Sequence, residues 1–410
     1  MSKPNAPKRQ APQKSCFDVA VVGGGPGGAA TALALNQLGH SVVIVERSNY
    51  EKNRIGETLP PNIQRLLVNL DVWDRFSAQN HARAVGIRSA WGHAELYDND
   101  FIHNPYGSGW HVDRARFDEM LVLAAEQTGT HVCRGAQVVS CLQCLDGDWQ
   151  IDIVSDGRRK NLKAKFVVDA TGRAALVARH QGVKRMIIDR LIAVVAFFSG
   201  TQERSACHFT LIEASAGGWW YSALLPDSRI VAAYMTDADL DVANQLRFPW
   251  RWQDQLNRTT HTRARVQRRS LDSELRIFAA NTSRVERFTG SNWLAVGDAA
   301  ITFDPLSSQG VYKALLSGLR AARSINAHFS GVNSALLDYT ASLEDEFKNY
   351  LKTRSYYYQR EVRWPASVFW QRRASVPSLL LEPLAPFPAT MTRLQQSPGR
   401  QAHRPRVVTT

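Results

Sequence analysis

The N-terminal part of the chain alternates short apolar runs with segments of helical spacing. Residues 17–22 are an apolar run that predicts a buried strand, and residues 41–45 predict a second one. Between them, residues 29–39 are rich in small and apolar side chains and predict a helix. Strand, helix and strand in this order predict a parallel pair joined by a crossover helix, which is the repeating unit of a doubly wound α/β sheet.

Helical spacing recurs later in the chain. Two predicted helices have apolar faces made of Ile63, Leu66, Leu67 and Leu70, and of Phe117, Met120, Leu121 and Ala124. A long helix is predicted over about 310–328, and residues 334–375 have a helical and aromatic pattern.

Runs of β-branched and aromatic residues predict two groups of strands. Residues 132–145 and 149–154, joined through Gly147, predict an antiparallel pair, and residues 166–168 predict a buried strand. Longer predicted strands follow at 191–198, 207–213, 219–225 and 230–236. The sequence therefore predicts an α/β fold with an inserted antiparallel sheet and a helical C-terminus.

A glycine-rich turn joins the first predicted strand to the first predicted helix. Gly23 suits the tight turn out of the strand, Gly25 allows a pyrophosphate to approach the backbone, and Gly28 allows close packing of helix on sheet. Glu46 follows the second strand, 23 residues after Gly23, where a carboxylate accepts hydrogen bonds from a ribose hydroxyl. Glycine-rich turns also serve as plain loops, but strand, glycines, helix, strand and acid in this order favour a dinucleotide site.

Composition excludes several classes of protein. The chain has 410 residues, of which 44% are hydrophobic and 21% charged, and it contains no apolar stretch of membrane-spanning length. Residues 1–16 are basic and lack the apolar core of a signal peptide, so we expect a disordered arm and a cytoplasmic protein. Its five cysteines are too few for a disulfide framework, and the pair Cys141 and Cys144 lacks the further ligands of a metal site.

The formal net charge of +13 indicates an acidic partner or surface. No nucleic-acid motif accompanies this charge, so docking onto a polypeptide is favoured over nucleic-acid binding.

Four segments together resemble the flavoprotein monooxygenase and halogenase superfamily. They are residues 23–28 with Glu46, Asp113-Arg114 with Phe117-Asp118, residues 169–173, and residues 297–300 continued through Asp304-Pro305 to Gln309-Gly310. The resemblance implies a Rossmann-like FAD-binding domain of the p-hydroxybenzoate hydroxylase type, with FAD as cofactor and O2 as co-substrate. NADH or an externally reduced flavin would be the reductant, because no second dinucleotide motif is present.

On this basis the chain divides into five regions. We expect a disordered arm over 1–16, the FAD-binding domain over 17–80, 105–188 and 284–330, a substrate-binding sheet domain over 81–104 and 189–283, a helical segment over 331–375, and a proline-rich, partly disordered tail over 376–410.

The resemblance also assigns roles to residues. In the superfamily an aspartate at the position of Asp298 binds the ribityl chain, and the stretch from Pro305 to Gly310 runs beside the isoalloxazine ring. The Gly-Glu loop at residues 54–61 is expected near the same ring. The cofactor-binding residues so implied are Gly23, Gly25, Pro26, Gly27, Gly28, Glu46, Arg47, Arg54, Gly56, Arg114, Asp298, Ser308, Gln309 and Gly310.

Candidate catalytic residues are Glu57, Pro305, Trp219 and Trp220. The two tryptophans lie on a predicted strand of the second sheet, where they would give an aromatic substrate a rigid apolar wall. The alternative is that they are core residues of the sheet, since aromatic residues favour strands. His93, His111 and His208 lie in neighbouring segments, but none is assigned as a base, because single histidines often have structural roles.

Halogenation is a rival reaction. Halogenases of the superfamily use a lysine, and this chain has no lysine between Lys52 and Lys160. Arg83 and Arg88 lie in the corresponding zone, but a guanidinium does not readily lose a proton. The tryptophan-halogenase motif Trp-x-Trp-x-Ile-Pro is also missing around residues 219–226.

A narrower group fits better. Residues 55–61, 87–92, 218–222 and 363–365 with Phe369-Trp370 resemble flavoproteins that mature tryptophylquinone enzymes and are thought to hydroxylate a protein-bound tryptophan. The partner would be the precursor of a quinone-dependent oxidase or dehydrogenase, docked on residues 356–373, unless this segment is an ordinary helix that closes the second domain. The alternatives are a hydroxylase or halogenase of a small aromatic molecule, a saturating reductase, and a non-catalytic flavin-containing escort of the oxidase.

Overall fold

The computed structural model describes residues 16–52, 54–200, 208–246, 248–272 and 274–374. The predicted tail and, apart from Cys16, the predicted arm lie outside the described residues. The strands are β1 Cys16–Val22, β2 Val42–Val45, β3 Thr58–Leu59, β4 Ala82–Ala84, β5 Gly86–Ala90, β6 Tyr97–Asp100, β7 Gly109–His111, β8 His131–Cys133, β9 Gln137–Gln143, β10 Trp149–Ser155, β11 Arg158–Asp169, β12 Arg185–Ile187, β13 Leu191–Ser199, β14 Phe209–Ser215, β15 Gly218–Leu224, β16 Ile230–Asp237, β17 Ser270–Leu271, β18 Arg276–Ala279, β19 Ser283–Val285, β20 Thr289–Gly290, β21 Trp293–Ala295 and β22 Ile301–Thr302.

The helices include the four predicted from apolar spacing. They are α1 Pro26–Gln37, α2 Ile63–Asn69, α3 Trp73–Ser77, α4 Arg114–Gln127, α5 Leu176–His180, α6 Asp241–Gln245, α7 Pro249–Asn257, α8 His261–Val266, α9 Gly310–Phe329, α10 Ala335–Gln359 and α11 Val368–Ala374. In the part of the chain that the structure describes, none of these helices combines the length and apolar character needed to cross a bilayer.

The first large sheet has a doubly wound parallel centre. Its order is β20-β21-β11-β1-β2-β8, in which the five strands from β21 to β8 are parallel to one another and β20 pairs antiparallel with β21. The chain thus moves outward from β1 to β8 and then returns to the other side of β1, so the loops after β1 and β11 meet at a switch point. Ligands of such sheets bind at the carboxyl ends of the strands at this point.

Helix α1 lies over this switch point and is buried along most of its length. Pro26 opens the helix at a position where its missing N–H costs nothing, and every residue from 26 to 35 is buried. Helix α9 crosses α1 closely, because a Cβ on Gly318 would lie only 2.5 Å from the carbonyl oxygen of Gly27. Small side chains therefore fix the α1–α9 contact that positions the N-termini of both helices.

The prediction for residues 132–145 is wrong in one respect. The segment forms two strands, since β8 pairs in parallel with β2 whereas β9 pairs antiparallel with β10. Gly135, at φ +61°, lies between them in a conformation that side chains disfavour. The predicted antiparallel pairing with residues 149–154 is confirmed by the β9–β10 register.

The second large sheet has the order β17-β13-β16-β15-β14-β5-β6, with β18 also paired to β13. Strands β13 to β16 are antiparallel to one another, as predicted, and β5 is parallel to β14. One face packs against α7 and α8 through Trp252, Leu256 and Val266. The other face packs against the C-terminal helices through Tyr358 and Phe369, and toward the first sheet it borders an open cavity.

Two small sheets join the large ones. Strand β7 pairs with β3 and β4, and β19 pairs with β12 and β22. Strand β4 thus does not join the second large sheet, although it falls in the range 81–104 expected there. That the second large sheet binds substrate stays a prediction.

Candidate active site

A cavity of about 970 Å³ lies between the carboxyl ends of the parallel strands and the open face of the second sheet. Its size is at the upper end for small-molecule and cofactor sites. One end is lined by the glycine turn after β1, and the other by side chains of β13, β15 and β16 and by the loop that leads into α9.

The glycine turn has the geometry of a pyrophosphate site. Gly23, at φ +109°, passes so close to the carbonyl oxygen of Ala170 that a Cβ would lie 2.3 Å from it. Gly25 caps α1 in an extended conformation, and a Cβ built on it meets nothing within 4 Å. Gly25 thus faces open space at the N-terminus of a twelve-residue helix, where amide groups favour an anion.

The other members of the motif are placed differently. Pro26 and Gly27 line the cavity beside Gly25. Gly28 does not line it; a Cβ there would lie 2.0 Å from the carbonyl oxygen of Gly23 and 2.9 Å from the Cβ of Ala170. Gly28 therefore acts through packing of α1 on the sheet, rather than by contact with a ligand.

Glu46 ends β2 at the edge of the cavity, with its side chain largely buried. Its Oε2 accepts from the amide of Gly24 at 2.6 Å, and its Oε1 accepts from the amide of Ser48 at 2.9 Å. These bonds hold the carboxylate at the position expected for a ribose ligand. Arg47, the next residue, also lines the cavity.

Two guanidinium groups in the cavity wall are held by one buried carboxylate. Arg54 donates to Asp118 at 2.7 Å, and Arg114 donates to the same side chain at 3.1 Å. Arg114 also donates to the carbonyl oxygen of Ile55 at 2.8 Å, and so ties helix α4 to the Gly-Glu loop. Gly56 in this loop takes φ +92° and lines the cavity. The arrangement fixes positive charge beside the predicted cofactor.

Asp298 lies in the short turn after β21 and lines the cavity, with 42% of its side chain exposed. Arg173, from the segment after β11, approaches its carboxylate at 3.8 Å and is itself fixed by Asn281 at 2.9 Å. Asp298 therefore keeps accessible oxygens for hydroxyl groups of a ligand, and its binding of a ribityl chain stays a prediction.

The loop from Asp304 to Gly310 brings Pro305, Ser308, Gln309 and Gly310 to the cavity. Asp304 is buried and caps the turn by accepting from the amide of Leu306 at 3.0 Å. Three residues on one face of α10 bind Asp304. They are Tyr350, whose hydroxyl accepts from the Asp304 amide at 2.7 Å, Arg354, which donates to Oδ2 at 3.2 Å, and Tyr358, which donates to Oδ2 at 2.8 Å. We name these three residues the α10 clamp.

Glu57 follows Gly56 and lines the cavity, although its side chain is almost completely buried. Its Oε2 accepts from the amide of Gly56 at 2.8 Å, and it is hydrogen-bonded to Tyr221. Burial raises the pKa of the Glu57 carboxyl, while the Tyr221 hydroxyl, neighbouring amides and Arg114 oppose this rise. Glu57 is thus a carboxyl group that can hold a proton at the cavity wall.

The two predicted tryptophans do not reach the cavity. Trp219 is fully buried under the C-terminal helices, where its Nε1 donates to the Tyr358 hydroxyl at 3.0 Å. Trp220 points to the opposite face and packs against Tyr234 and Trp252. The structure contradicts the expectation that these rings line a substrate wall, because successive residues of a strand face opposite ways and α10 and α11 cover the face that holds Trp219.

Tyr221 belongs to the same aromatic segment proposed as a wall, although it was not among the candidate catalytic residues, and of the three aromatic residues it is the one that reaches the cavity. Tyr221 lies in the cavity lining, and its hydroxyl is 2.7 Å from that of Thr58. It begins a row across three strands, with Ala233 and Val195 as the next members. Strand alternation places Trp219 and Tyr221 on one face. Because the C-terminal helices cover that face at Trp219, Tyr221 is the member of this pair that reaches the cavity.

Residues considered for other reactions lie away from the cavity. Arg88 forms a paired hydrogen bond with Asp98, and neither Arg83 nor Arg88 lines the cavity. His111 is buried, bonds Thr210 at 2.9 Å, and has its pKa lowered to about 3 by burial. The segment 356–373 has Tyr358, Phe369, Trp370 and Arg373 in the interior, whereas others of its side chains, among them Arg360, Val362 and Arg372, are exposed. That a partner docks on this segment stays a prediction.

The residues present suit FAD. Gly25 leaves room for phosphates at a helix N-terminus, Glu46 and Asp298 provide carboxylates at two places along the cavity, and the clamped Asp304 loop leads to the amides of α9. A dinucleotide with hydroxyl groups at both ends matches this order of donors and acceptors.

Comparisons with known proteins agree with an FAD site in this chain. A family model described as "FAD binding domain" matches residues 16–346. The FAD-dependent oxidoreductase LodB of Marinomonas mediterranea is 30% identical over 368 residues, which are 88% of this chain and 98% of LodB. The myxobacterial chondrochloren halogenase CndH has a similar structure, with a TM-score of 0.80 and 24% identity over 89% of this chain and 87% of CndH. The peptidyl tryptophan dihydroxylase QhpG, essential for tryptophylquinone cofactor biogenesis, has a TM-score of 0.72 and 23% identity over 88% of this chain and 79% of QhpG. These likenesses confirm the predicted fold class.

Proposed function

Because this chain belongs to the FAD binding domain family, we propose that it is a monooxygenase that hydroxylates a tryptophan side chain carried by a partner protein. Membership of the family confirms the predicted resemblance to flavin-dependent oxygenases and halogenases, and with it an FAD-dependent enzyme. The proposed partner is the precursor of a quinone-dependent oxidase or dehydrogenase, and the reaction would be a step in tryptophylquinone formation.

The observation that carries the proposal is the row Tyr221, Ala233 and Val195 in the same cavity as the glycine turn. An aromatic side chain next to two small aliphatic ones leaves an apolar face suited to a flat ring. Leu306, in the Pro305 turn, packs against the same face of the sheet. A planar substrate ring therefore has a place between this sheet face and the predicted position of the flavin.

Each part of the site has a task in this reaction. The glycine turn and Glu46 bind the adenosine diphosphate part of the cofactor, and Asp298 binds its ribityl chain. The α10 clamp fixes the loop that carries Pro305, and the sheet face orients the indole ring and excludes water. Bound and reduced, FAD supplies the oxygen-activating chemistry, with O2 as co-substrate and NADH or an externally reduced flavin as the source of electrons.

A protein substrate is supported by two facts. The structure is similar to that of QhpG, which acts on a peptidyl tryptophan. The chain has a net charge of +13, which favours association with an acidic polypeptide. The proposed location is the cytoplasm, which suits the free thiols of the described cysteines.

Halogenation is less well supported. Among the described residues that line the cavity, the only lysine is Lys52, which is exposed in the loop after β2. An amine that handles a halogenating species has to face the substrate, and the sheet side of the cavity offers Tyr221 and aliphatic side chains instead.

The test is to produce the partner oxidase precursor with and without this protein, under oxygen-18 gas, and to weigh the partner peptide that contains the tryptophan. Labelled oxygen in that peptide, present with the wild type and lost in Asp298→Ala, is the expected result. A halogen on the peptide would indicate a halogenase, and an unmodified peptide with steady reductant consumption on a small aromatic compound would indicate a small-molecule hydroxylase. Partner maturation that survives Asp298→Ala without bound flavin would favour an escort.

A further inference from the structure

A second, much smaller cavity shares Glu57 with the main one. Its volume of about 20 Å³ is enough for one water molecule. Its charged lining consists of Arg54, Glu57, Asp113, Arg114, Asp227 and Arg229. Glu57 also lines the main cavity, as do Arg54 and Arg114. Among the described residues, Glu57 is therefore the one carboxyl group that lines both the main cavity and a water-sized space beside the β15–β16 turn.

The surroundings of Glu57 suit a group that exchanges a proton. Burial raises the pKa of its carboxyl, which favours the protonated form. Arg114 is the cation whose charge opposes this rise, and Tyr221 stabilises the ionised form through its hydrogen bond. Arg54 and Arg114 are themselves neutralised in part by Asp118. On the outer side, Asp113, Asp227 and Arg229 complete the charged groups that face the small cavity.

The Tyr221 hydroxyl, which lowers the pKa of Glu57, is itself held in place by a hydrogen-bonded line behind it. Its hydroxyl is 2.7 Å from the hydroxyl of Thr58, which lies 3.5 Å from that of Thr210. Thr210 in turn bonds His111, which stays neutral because burial lowers its pKa to about 3. The line joins β15 to β3, β14 and β7, so the Tyr221 hydroxyl cannot turn away without breaking contacts in two sheets.

The chemistry of hydroxylation requires such a group. Insertion of one oxygen atom from O2 into a C–H bond, with NADH as the reductant, forms one water molecule and NAD⁺ and consumes one proton from solvent. The side chains of β13 and β16 that line the cavity are those of Ala193, Val195, Val231, Ala233 and Met235, and none of them has a proton to donate. A protonated carboxyl has one, and it must be reprotonated once in each cycle.

We propose that Glu57 delivers this proton, in the main cavity, to the oxygen atom of O2 that is not inserted and that leaves as water. Glu57 is then reprotonated through the small cavity, and Tyr221 is the positioning residue for its carboxyl. The inference rests on the proposed function, since it names the proton path of that reaction. It is tested at the level of the resting, FAD-loaded protein as well as in turnover.

The resting-state test is a pH titration of the FAD-loaded protein, read by flavin absorbance and by the infrared band of protonated carboxyl groups. Glu57→Gln should keep its flavin but lose one carboxyl band and the associated absorbance step. Tyr221→Phe should move that step to higher pH, because the hydrogen bond that favours the ionised form is gone. Asp169 is another buried carboxyl whose pKa is raised by burial, and its band should persist in both variants.

Tyr234→Phe is the matched control. Tyr234 is a buried tyrosine on the neighbouring strand β16, but it faces Trp220 on the far side of the sheet. Its removal should leave the titration unchanged. In turnover, Glu57→Gln should slow product formation about 100-fold or more, and Glu57→Asp should recover part of the rate. Leu225→Trp, which fills the small cavity, should slow turnover and move the resting titration to higher pH, because loss of the water space buries the Glu57 carboxyl further.

Distinct results would overturn the proposal. An unchanged carboxyl band and absorbance step in Glu57→Gln would exclude Glu57 as the titrating group. If Tyr221→Phe and Tyr234→Phe shift the pH of the absorbance step equally, the cause would be a general loss of order in the sheet, and Tyr221 would have no specific role. Failure of the wild type to oxygenate any partner peptide, with the titration as expected, would instead reject the proposed function.

Discussion

Two glycines of the same turn provide a sharp test of how the site is built. Gly25→Ala and Gly28→Ala add the same methyl group three residues apart, at the start of α1. On Gly25 the methyl enters the cavity and meets no protein atom within 4 Å, whereas on Gly28 it would lie 2.0 Å from the carbonyl oxygen of Gly23. The first variant should therefore lose cofactor affinity while keeping its stability, and the second should lose both.

The magnitudes follow from these contacts. Gly25 has φ −74° and ψ −178°, which alanine adopts without strain, so the free energy of unfolding should stay the same or rise by about 0.4–1 kcal/mol. A methyl group between the helix amides and a phosphate lengthens at least one charge-assisted hydrogen bond, worth about 1.5–3 kcal/mol, or roughly 10- to 150-fold in Kd. In Gly28→Ala, α1 has to withdraw by about 1 Å from a packed core, which costs about 1–3 kcal/mol.

The assay is denaturant unfolding of the apoprotein together with FAD titration followed by flavin fluorescence. Wild-type FAD affinity in Gly25→Ala would refute the assignment of this amide turn to the pyrophosphate. Wild-type stability in Gly28→Ala would refute the close packing of α1 on β1. Loss of stability in Gly25→Ala would show that its methyl meets protein after all.

Four further outcomes are expected. Asp298→Ala should retain little flavin on purification, because a carboxylate facing the ribityl position is lost, and full yellow colour would contradict this. Trp220→Ala should lower the free energy of unfolding by about 3–5 kcal/mol, as for a large core side chain. Trp220→Phe should lower it by less. A Trp220→Ala variant with wild-type stability and slowed turnover would instead indicate that Trp220 is a site residue. The free energy of unfolding should fall as the pH drops from 6.5 toward 3, by up to about 1.4 kcal/mol per pH unit. The reason is that, in this pH range, His111 binds its proton only in the unfolded chain. His111→Asn should flatten this slope. Iodoacetamide should label exposed Cys144 but spare buried Cys141, whose pKa is raised to about 12 by burial. Both thiols lie in the tryptic peptide 135–158, so fragment-ion mass spectrometry of that peptide locates the label.

The parts of the site that depend on short sequence segments were predictable. The turn from Gly23 to Gly28 and the position of Glu46 follow from one strand, one helix and the next strand, each set by neighbours in the chain. Helix α9 begins at Gly310, close to the predicted start. Local spacing decides such features, so a single sequence contains the information.

Features that depend on distant contacts were not predictable. The pattern of residues 219–221 indicates a strand but not which face is covered, and that was decided by α10 and α11, more than 100 residues away. The bond from Arg354 to Asp304 spans 50 residues. The second cavity beside Glu57 forms where the β15–β16 turn lies near Asp113. No sequence motif indicates that this turn and Asp113 are neighbours.

The α10 clamp has a consequence for where this protein can be shortened. The family match ends at residue 346, but Tyr350, Arg354 and Tyr358 lie beyond it and hold Asp304. A chain cut at the family boundary would keep the phosphate-binding turn and lose the support of the Pro305 segment. Such a fragment should still bind adenine nucleotides but should bind the isoalloxazine end of FAD weakly. The region that the family shares in sequence is therefore smaller than the structural unit that forms the reaction site.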